Sequence, residues 1–274
     1  MSSWVHGIGG DGTKGRADMA RHKERGWYSR LLAAALGVTA LAAATSVWTA
    51  QADSAGGRQQ ARVSAPDQNG TAAKVAADIA HASEAGDRGV NITIDDGPDP
   101  VWTPQVLRLL KDNGAKATFC MVGTQAQAYP DLVKAVVAAG HRLCNHTVSH
   151  DTTMDTKSEA YQSQQILDAE RMITKASGGV RPQYYRAPGG AFTPYSRELA
   201  ASRGMRPLGW NVDSRDFERP GADVMVATVK REIPNGPTVL FHDAGGERSQ
   251  TVAALREVLP WLRQQGYSFG QPVR

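Results

Sequence analysis

The chain has 274 residues, 41% of them hydrophobic and 21% charged, with a formal net charge of +4. That composition supports a buried core in one large domain or two small ones and excludes whole-chain disorder. Two cysteines exclude a disulfide-dense miniprotein, and a single long apolar run excludes a multi-span membrane protein. Residues 1–30 carry six Lys or Arg against three Asp or Glu, so the rest of the chain is close to neutral. A basic nucleic-acid-binding surface therefore has no support.

Arg21, Lys23, Arg25 and Arg30 precede the uncharged run of residues 31–50, and Ala50-Gln51-Ala52 follows it. Positive region, apolar region and A-x-A site predict a Sec-type secretory signal cleaved near Ala52, with Met1 or Met19 as the start. The alternative is a single-pass anchor at 31–50, since twenty residues just span a bilayer. Residues 1–52 are thus read as N-terminal extension and signal. Residues 53–87 are read as a linker with a short Ala-rich helix over Thr71–Ala85, and 88–274 as the folded, catalytic domain.

Within that domain, GVNITID (89–95) reads as a strand. Thr103-Pro104 opens a helix as N-cap and first-turn proline, and Gly114 closes it. Strand 116–122, helix 130–139 and strand 141–145 follow, then a long amphipathic helix over 158–176 and a strand at 183–187. Thr193-Pro194 repeats the cap-plus-proline start and Gly204 the stop. An extended stretch (205–212), a helix (223–232), a strand (237–242), a helix (249–265) and a last strand (267–269) complete the order. Strands alternating with helices predict parallel βαβ units, hence an α/β barrel or an open sheet.

In such folds the active site gathers at the C-terminal ends of the strands. Five predicted strands deliver ionisable residues to that rim: Asp95-Asp96, His146, Arg186, Asp213 with Asp216, and His242. His146 and His150 have a spacing that lets two imidazoles converge on one ion, with a carboxylate as third ligand. Two unliganded surface histidines are the plain alternative. Asp95-Asp96-Gly97-Pro98 has turn chemistry, but a turn explains Gly97 and Pro98 and leaves two adjacent carboxylates to account for.

TIDDGPDP, HTVSH, RAPGG, DSRDF and LFH, in that order over residues 88–270, resemble the five motifs of polysaccharide deacetylases, the NodB-homology domains of carbohydrate esterase family four. The resemblance implies a distorted (β/α) barrel of about seven parallel strands. It implies Asp95 as general base, His242 as general acid, and Asp96, His146 and His150 as ligands of one divalent metal, Zn2+ before Co2+. Arg186 would orient the base, Asp216 would pair with His242, and Leu240 would line the acetyl pocket. Gly189, Phe217 and Trp210 are expected along the substrate groove, with a backbone N–H near Gly189 facing the oxyanion. The substrate implied is an acetylated glycan. N-acetylglucosamine units of peptidoglycan or chitin-like oligosaccharides come first; O-acetylated xylan and a non-catalytic carbohydrate-binding module are the alternatives. A monomer is expected, with membrane contact only through an uncleaved N-terminal segment.

Metal and Arg186 are expected to hold the Asp95 pKa down, and Asp216 to raise that of His242. Ile94, Ala187, Gly189 and Phe217 stand where the family usually has Phe, Pro, Tyr and Trp; these departures touch groove walls and leave the acid–base and ligand set complete. Cys120 and Cys144, in consecutive strands, form a disulfide or two buried thiols. His81 and His141 read as surface residues, and Trp102, Tyr184, Tyr185 and Trp261 as core. Gly189-Gly190 and Gly245-Gly246 lack the phosphate-loop pattern.

Overall fold

The computed structural model describes residues 75–274. The core strand is β1 (Gly89–Asp95), buried along its whole length. It is followed by α1 (Thr103–Asp112), β2 (Ala117–Met121), α2 (Gly123–Ala128), α3 (Pro130–Ala138) and β3 (Arg142–Asn145). Then come α4 (Glu159–Ala176), β4 (Tyr184–Tyr185), α5 (Pro194–Ser202), β5 (Arg206–Pro207) and β6 (Val212–Asp213). The chain ends with α6 (Ala222–Glu232), β7 (Thr238–His242), α7 (Ser249–Gln264) and β8 (Ser268–Phe269). The strands pair in the order β5-β4-β3-β2-β1-β7-β6, all parallel, with β8 added beside the start of β1. Among the described residues no ladder joins β5 to β6, so the curled sheet is a barrel left open at one seam. This is the distorted (β/α) barrel that the motif order implied.

Strands covered on both faces read as near-continuous apolar runs, which is why β1 and β7 were legible. Two of their buried polar side chains donate within the sheet. Asn91 Nδ2 donates to Thr238 Oγ1 at 2.9 Å, and Thr93 Oγ1 to the Val239 carbonyl at 2.8 Å. Helix starts follow their caps: Ser158 accepts from the Tyr161 N–H, and Thr193 forms a capping box with Ser196.

Four expectations need correction. The described part of the predicted Thr71–Ala85 helix, from Val75 on, is not helical. It runs as a strap against the barrel, with a parallel bridge from Ala80 to Leu208 and an antiparallel one from Ser83 to Pro272. Ala-rich propensity without an apolar stripe cannot hold a short helix against those backbone partners, and the folded part therefore begins before Arg88. The stretch 205–212 carries two short strands rather than one, Arg206–Pro207 beside β4 and Val212–Asp213 beside β7. Thr103 is not a cap; its hydroxyl accepts from the Asp99 N–H at 2.7 Å and donates to Asp243 Oδ2 at 2.5 Å. His141 is buried, and its Nδ1 accepts the Ala117 N–H at 3.1 Å.

Cys120 and Cys144, directly opposed in the β2–β3 register, form a disulfide with Cα atoms 4.1 Å apart. Tyr184 and Tyr185 are buried, while Trp102 and Trp261 pack against the main core. His81 is exposed. No helix of the described residues is long and apolar enough to cross a membrane. The reading of residues 1–52 as signal or anchor lies outside the described residues.

Candidate active site

The pairing of β1 with β7 sets Asp95 opposite His242 at the C-terminal end of the sheet. The cleft at that end is lined by Asp95, Asp96, His146, His150, Arg186, Gly189, Trp210, Phe217, Leu240 and His242, all of them legible in the sequence. Asp213, flagged among the rim residues, lines it too, as do Thr152 and Ala187. Asp216 is the exception: it is fully buried behind His242 rather than exposed in the cleft.

One corner of the cleft is a three-donor cluster. Asp96 Oδ1 lies 3.2 Å from His150 Nε2 and 3.6 Å from His146 Nε2, and one donor atom from each of the three residues falls within 4.8 Å of the others. His146 Nδ1 lies 2.8 Å from the Arg186 carbonyl. That acceptor fixes the proton on Nδ1 and leaves the Nε2 lone pair free. Burial pulls the His146 pKa down to about 3, so the ring is a neutral imidazole, the form that ligates metal. Asp96 Oδ1 is buried with no hydrogen-bond donor. Asp96, Thr147 and His150 all take positive φ (78°, 67° and 56°), a costly conformation for non-glycine residues. An orphaned carboxylate oxygen, two lone pairs aimed at it and a strained backbone that presents them fit a divalent cation.

Beside that corner, Asp95 is held by Arg186. Nη1 donates to Asp95 Oδ1 at 2.7 Å and to Thr93 Oγ1 at 3.0 Å; Nε and Nη2 donate to the Leu208 and Gly209 carbonyls. All three nitrogens of the fork donate, so the guanidinium is fixed and fixes the carboxylate. Burial nonetheless pushes the Asp95 carboxyl above its ordinary range, with Arg186 opposing. Among the chain's own groups, full desolvation outweighs one guanidinium; a cation in the adjacent corner would act in the same direction as Arg186.

Across the cleft, His242 Nδ1 lies 2.6 Å from Asp216 Oδ1, and the His242 N–H donates to Asp216 Oδ2 at 2.8 Å. Thr251 Oγ1 donates to the same Oδ2 at 2.9 Å. Burial disfavours the imidazolium, but the hydrogen bond and charge of Asp216 overcome it and raise the His242 pKa to about 9. Burial works against the Asp216 carboxylate too, yet His242 and Arg248 keep its pKa below the ordinary value. A proton is therefore stored on the imidazole at neutral pH, as the sequence predicted. Phe217, 47% exposed, stands edge-on to His242 with ring centroids 5.9 Å apart, and Trp210 covers the Arg186 guanidinium. The supporting residues Arg248, Thr251 and Thr93 escaped the sequence reading, because they touch the site only through buried hydrogen bonds.

A family model for polysaccharide deacetylases matches residues 82–208. A peptidoglycan-N-acetylglucosamine deacetylase of Bacillus cereus is 41% identical over 182 residues, covering 66% of this chain and 84% of its own. The chain belongs to the polysaccharide deacetylase family. A second relative, a chitooligosaccharide deacetylase of Bradyrhizobium, is 37% identical over 195 residues, covering 67% and 88%. Among solved structures, a peptidoglycan N-acetylglucosamine deacetylase bound to an N-oxidanyl-benzamide superposes with TM-score 0.66 at 30% identity, covering 70% and 90%. A family-four pseudoenzyme from Bacillus anthracis superposes equally well at 28% identity, covering 72% and 68%. Fold likeness thus spans a deacetylase and a pseudoenzyme, and in this chain Asp95, His242 and the three-donor cluster are all present.

Proposed function

We propose that the protein is a metal-dependent hydrolase that removes N-acetyl groups from N-acetylglucosamine units of peptidoglycan or chitin-like oligosaccharides. The observation that carries it is the facing of a fixed carboxylate, Asp95, and a proton-bearing imidazole, His242, across a cleft with a donor cluster at one corner. Asp96, His146 and His150 would hold the ion, and two imidazole nitrogens with one carboxylate suit Zn2+ best. When bound, such an ion supplies a Lewis acid for the acetyl carbonyl and lowers the pKa of water.

The chain's own groups do the rest. Asp95, oriented by Arg186, accepts a proton from the attacking water as its oxygen bonds to the carbonyl carbon. The Gly189 amide, at the cleft wall, is the proposed donor to the developing oxyanion. As the C–N bond breaks, His242 donates a proton through Nε2 to the leaving nitrogen, because Nδ1 is committed to Asp216. Acetate and a free amine result. Leu240 and Trp210 border the acetyl group, and Phe217 offers an aromatic edge to the sugar.

We also place the enzyme outside the cytoplasm, exported through residues 1–52. A peptidoglycan substrate and the Cys120–Cys144 disulfide both support that reading. N-terminal sequencing of secreted protein should find Asp53 first; recovery of full-length chain only in membranes would favour the anchor.

The deciding experiment measures acetate release from chitooligosaccharides, peptidoglycan and acetylated xylan, with and without added Zn2+ or Co2+. Release from the first two that depends on metal is expected; release from xylan alone makes the protein an O-acetyl esterase. His146→Ala, His150→Ala and Asp96→Ala should each lower bound metal in elemental analysis and abolish release. Full metal content in His146→Ala would remove that histidine from the site.

A further inference from the structure

Arg248 is a buried guanidinium whose charge helps keep Asp216 ionised, but whose hydrogen bonds none of the roles above employs. It stands at the N-cap of α7 and forms no ion pair with a carboxylate among the described residues. A guanidinium taken out of water is costly unless its N–H groups find acceptors, so the partners it takes matter. All its hydrogen bonds go to backbone carbonyls on two segments. Nε donates to Ala244 O at 2.6 Å and Nη2 to Gly245 O at 3.5 Å, on the loop that leaves His242. Nη1 donates to Asp216 O at 3.0 Å, on the short 3-10 turn Asp216–Glu218. One planar fork therefore ties the segment that carries the imidazole to the segment that carries its carboxylate. Three residues on, Thr251 in the first turn of α7 holds the Asp216 side chain itself. The 3-10 turn needs such a tie: both residues flanking it, Arg215 and Arg219, have positive φ, and no side chain caps it.

We infer that Arg248 is a positioning residue for the general acid: it locks the Asp216 turn to the His242 loop and so holds the imidazole Nε2 at the leaving nitrogen. The inference rests on His242 being the acid. A guanidinium fills this role better than an ammonium, which cannot reach three carbonyls in the plane that a rigid fork spans.

The test compares two substrates, because an amide needs the acid and an activated aryl acetate does not. The metal-loaded full-length enzyme is assayed on a chitooligosaccharide and on 4-nitrophenyl acetate as wild type, His242→Ala, Arg248→Met and Arg248→Lys, with thermal unfolding of each. We expect Arg248→Met to lower kcat on the amide about 100-fold, the low end of general-acid contributions. Its loss on the aryl ester should stay below about fivefold, and Arg248→Lys should recover part of the amide rate. In an Asp216→Asn background, Arg248→Met should add little, because both act through the same imidazole. Equal losses on the two substrates, or a full additional loss in the double variant, would overturn the inference and leave Arg248 a stabiliser of the barrel. If Arg248→Met does not fold, the folded Arg248→Lys protein decides by the same amide-to-ester ratio. His242→Ala separates the two claims. Equal losses there overturn the acid assignment itself, whereas a split in His242→Ala with none in the Arg248 variants overturns only the role of Arg248.

Discussion

In the proposed reaction Asp95 and His242 must be in opposite protonation states, and their surroundings set the pH range in which they are. Asp95 works ionised, His242 protonated, so activity should be bell-shaped in pH. With the His242 pKa raised to about 9, the alkaline limb belongs to the imidazolium and falls as pH rises through that value. The acidic limb belongs to Asp95, whose carboxyl burial raises while Arg186, and the cation when bound, lower it. In Asp216→Asn the group that favours the imidazolium is gone, while burial still disfavours it. The alkaline limb should then move to lower pH with bound metal unchanged. An unshifted limb in the pH–rate profile would detach Asp216 from the acid. His242→Ala should cost the amide far more than an activated ester, consistent with the roughly 10²–10⁴-fold usually gained from a placed acid.

Elements were legible where burial or caps leave a local mark. The runs of β1, β2 and β7, the Ser158 and Thr193 caps and the glycine stops could be read directly. The helix α2, GTQAQA, could not: six residues with two buried positions carry no period to detect. Nor could the strap at 75–85, whose backbone partners, Pro207 and Gln271, are far away in the chain. The site's reacting groups were readable because strand ends deliver them. Its struts, Arg248 and Thr251, were not, because only tertiary contact gives them meaning. The turn between β1 and α1 yields an element-scale prediction. A Cβ on Gly97 would lie 2.1 Å from Asp243 Oδ1, a buried atom with no room to yield. Gly97→Ala should therefore destabilise the fold by roughly 1–3 kcal/mol, the usual cost of overpacking. It should also lower activity, since the same turn presents Asp96. Urea unfolding and acetate release check the two effects separately. The disulfide joining β2 to β3 closes a loop over a sequence separation of 24. Replacing both cysteines by Ala should lower stability by about 3 kcal/mol in the chain-entropy account.

For the molecule as a whole, acid should be the weak side. Burial and the nearby Lys116 lower the His141 pKa to about 4, so in the folded state the ring is neutral. Unfolded, it titrates near 6.5. The unfolded chain therefore binds a proton first as pH falls, and the stability contributed by His141 is complete above 6.5 and lost on descent towards 4. Between pH 7 and 5 that loss is about 2 kcal/mol from this residue. His141→Gln, which can still accept the Ala117 N–H, should flatten the pH dependence of urea unfolding over that interval. An unchanged slope would show that His141 protonates without penalty.

The strand order also governs when the enzyme becomes competent. β1 is the first strand of the chain yet sits mid-sheet, with β2 to β5 added on one flank in sequence order and β7 and β6 on the other. Asp95, Arg186 and all three donor residues lie on the flank completed first; His242 and Asp216 arrive on the flank completed last. A refolding chain can thus gather the ion-binding corner from contacts nearer in sequence, while joining β7 to β1 requires closure across almost the whole domain, the slower event. In a refolding time course, metal uptake should return before amide hydrolysis. A chain still emerging from synthesis would pass through the same order, able to grip its ion before it can cut a bond.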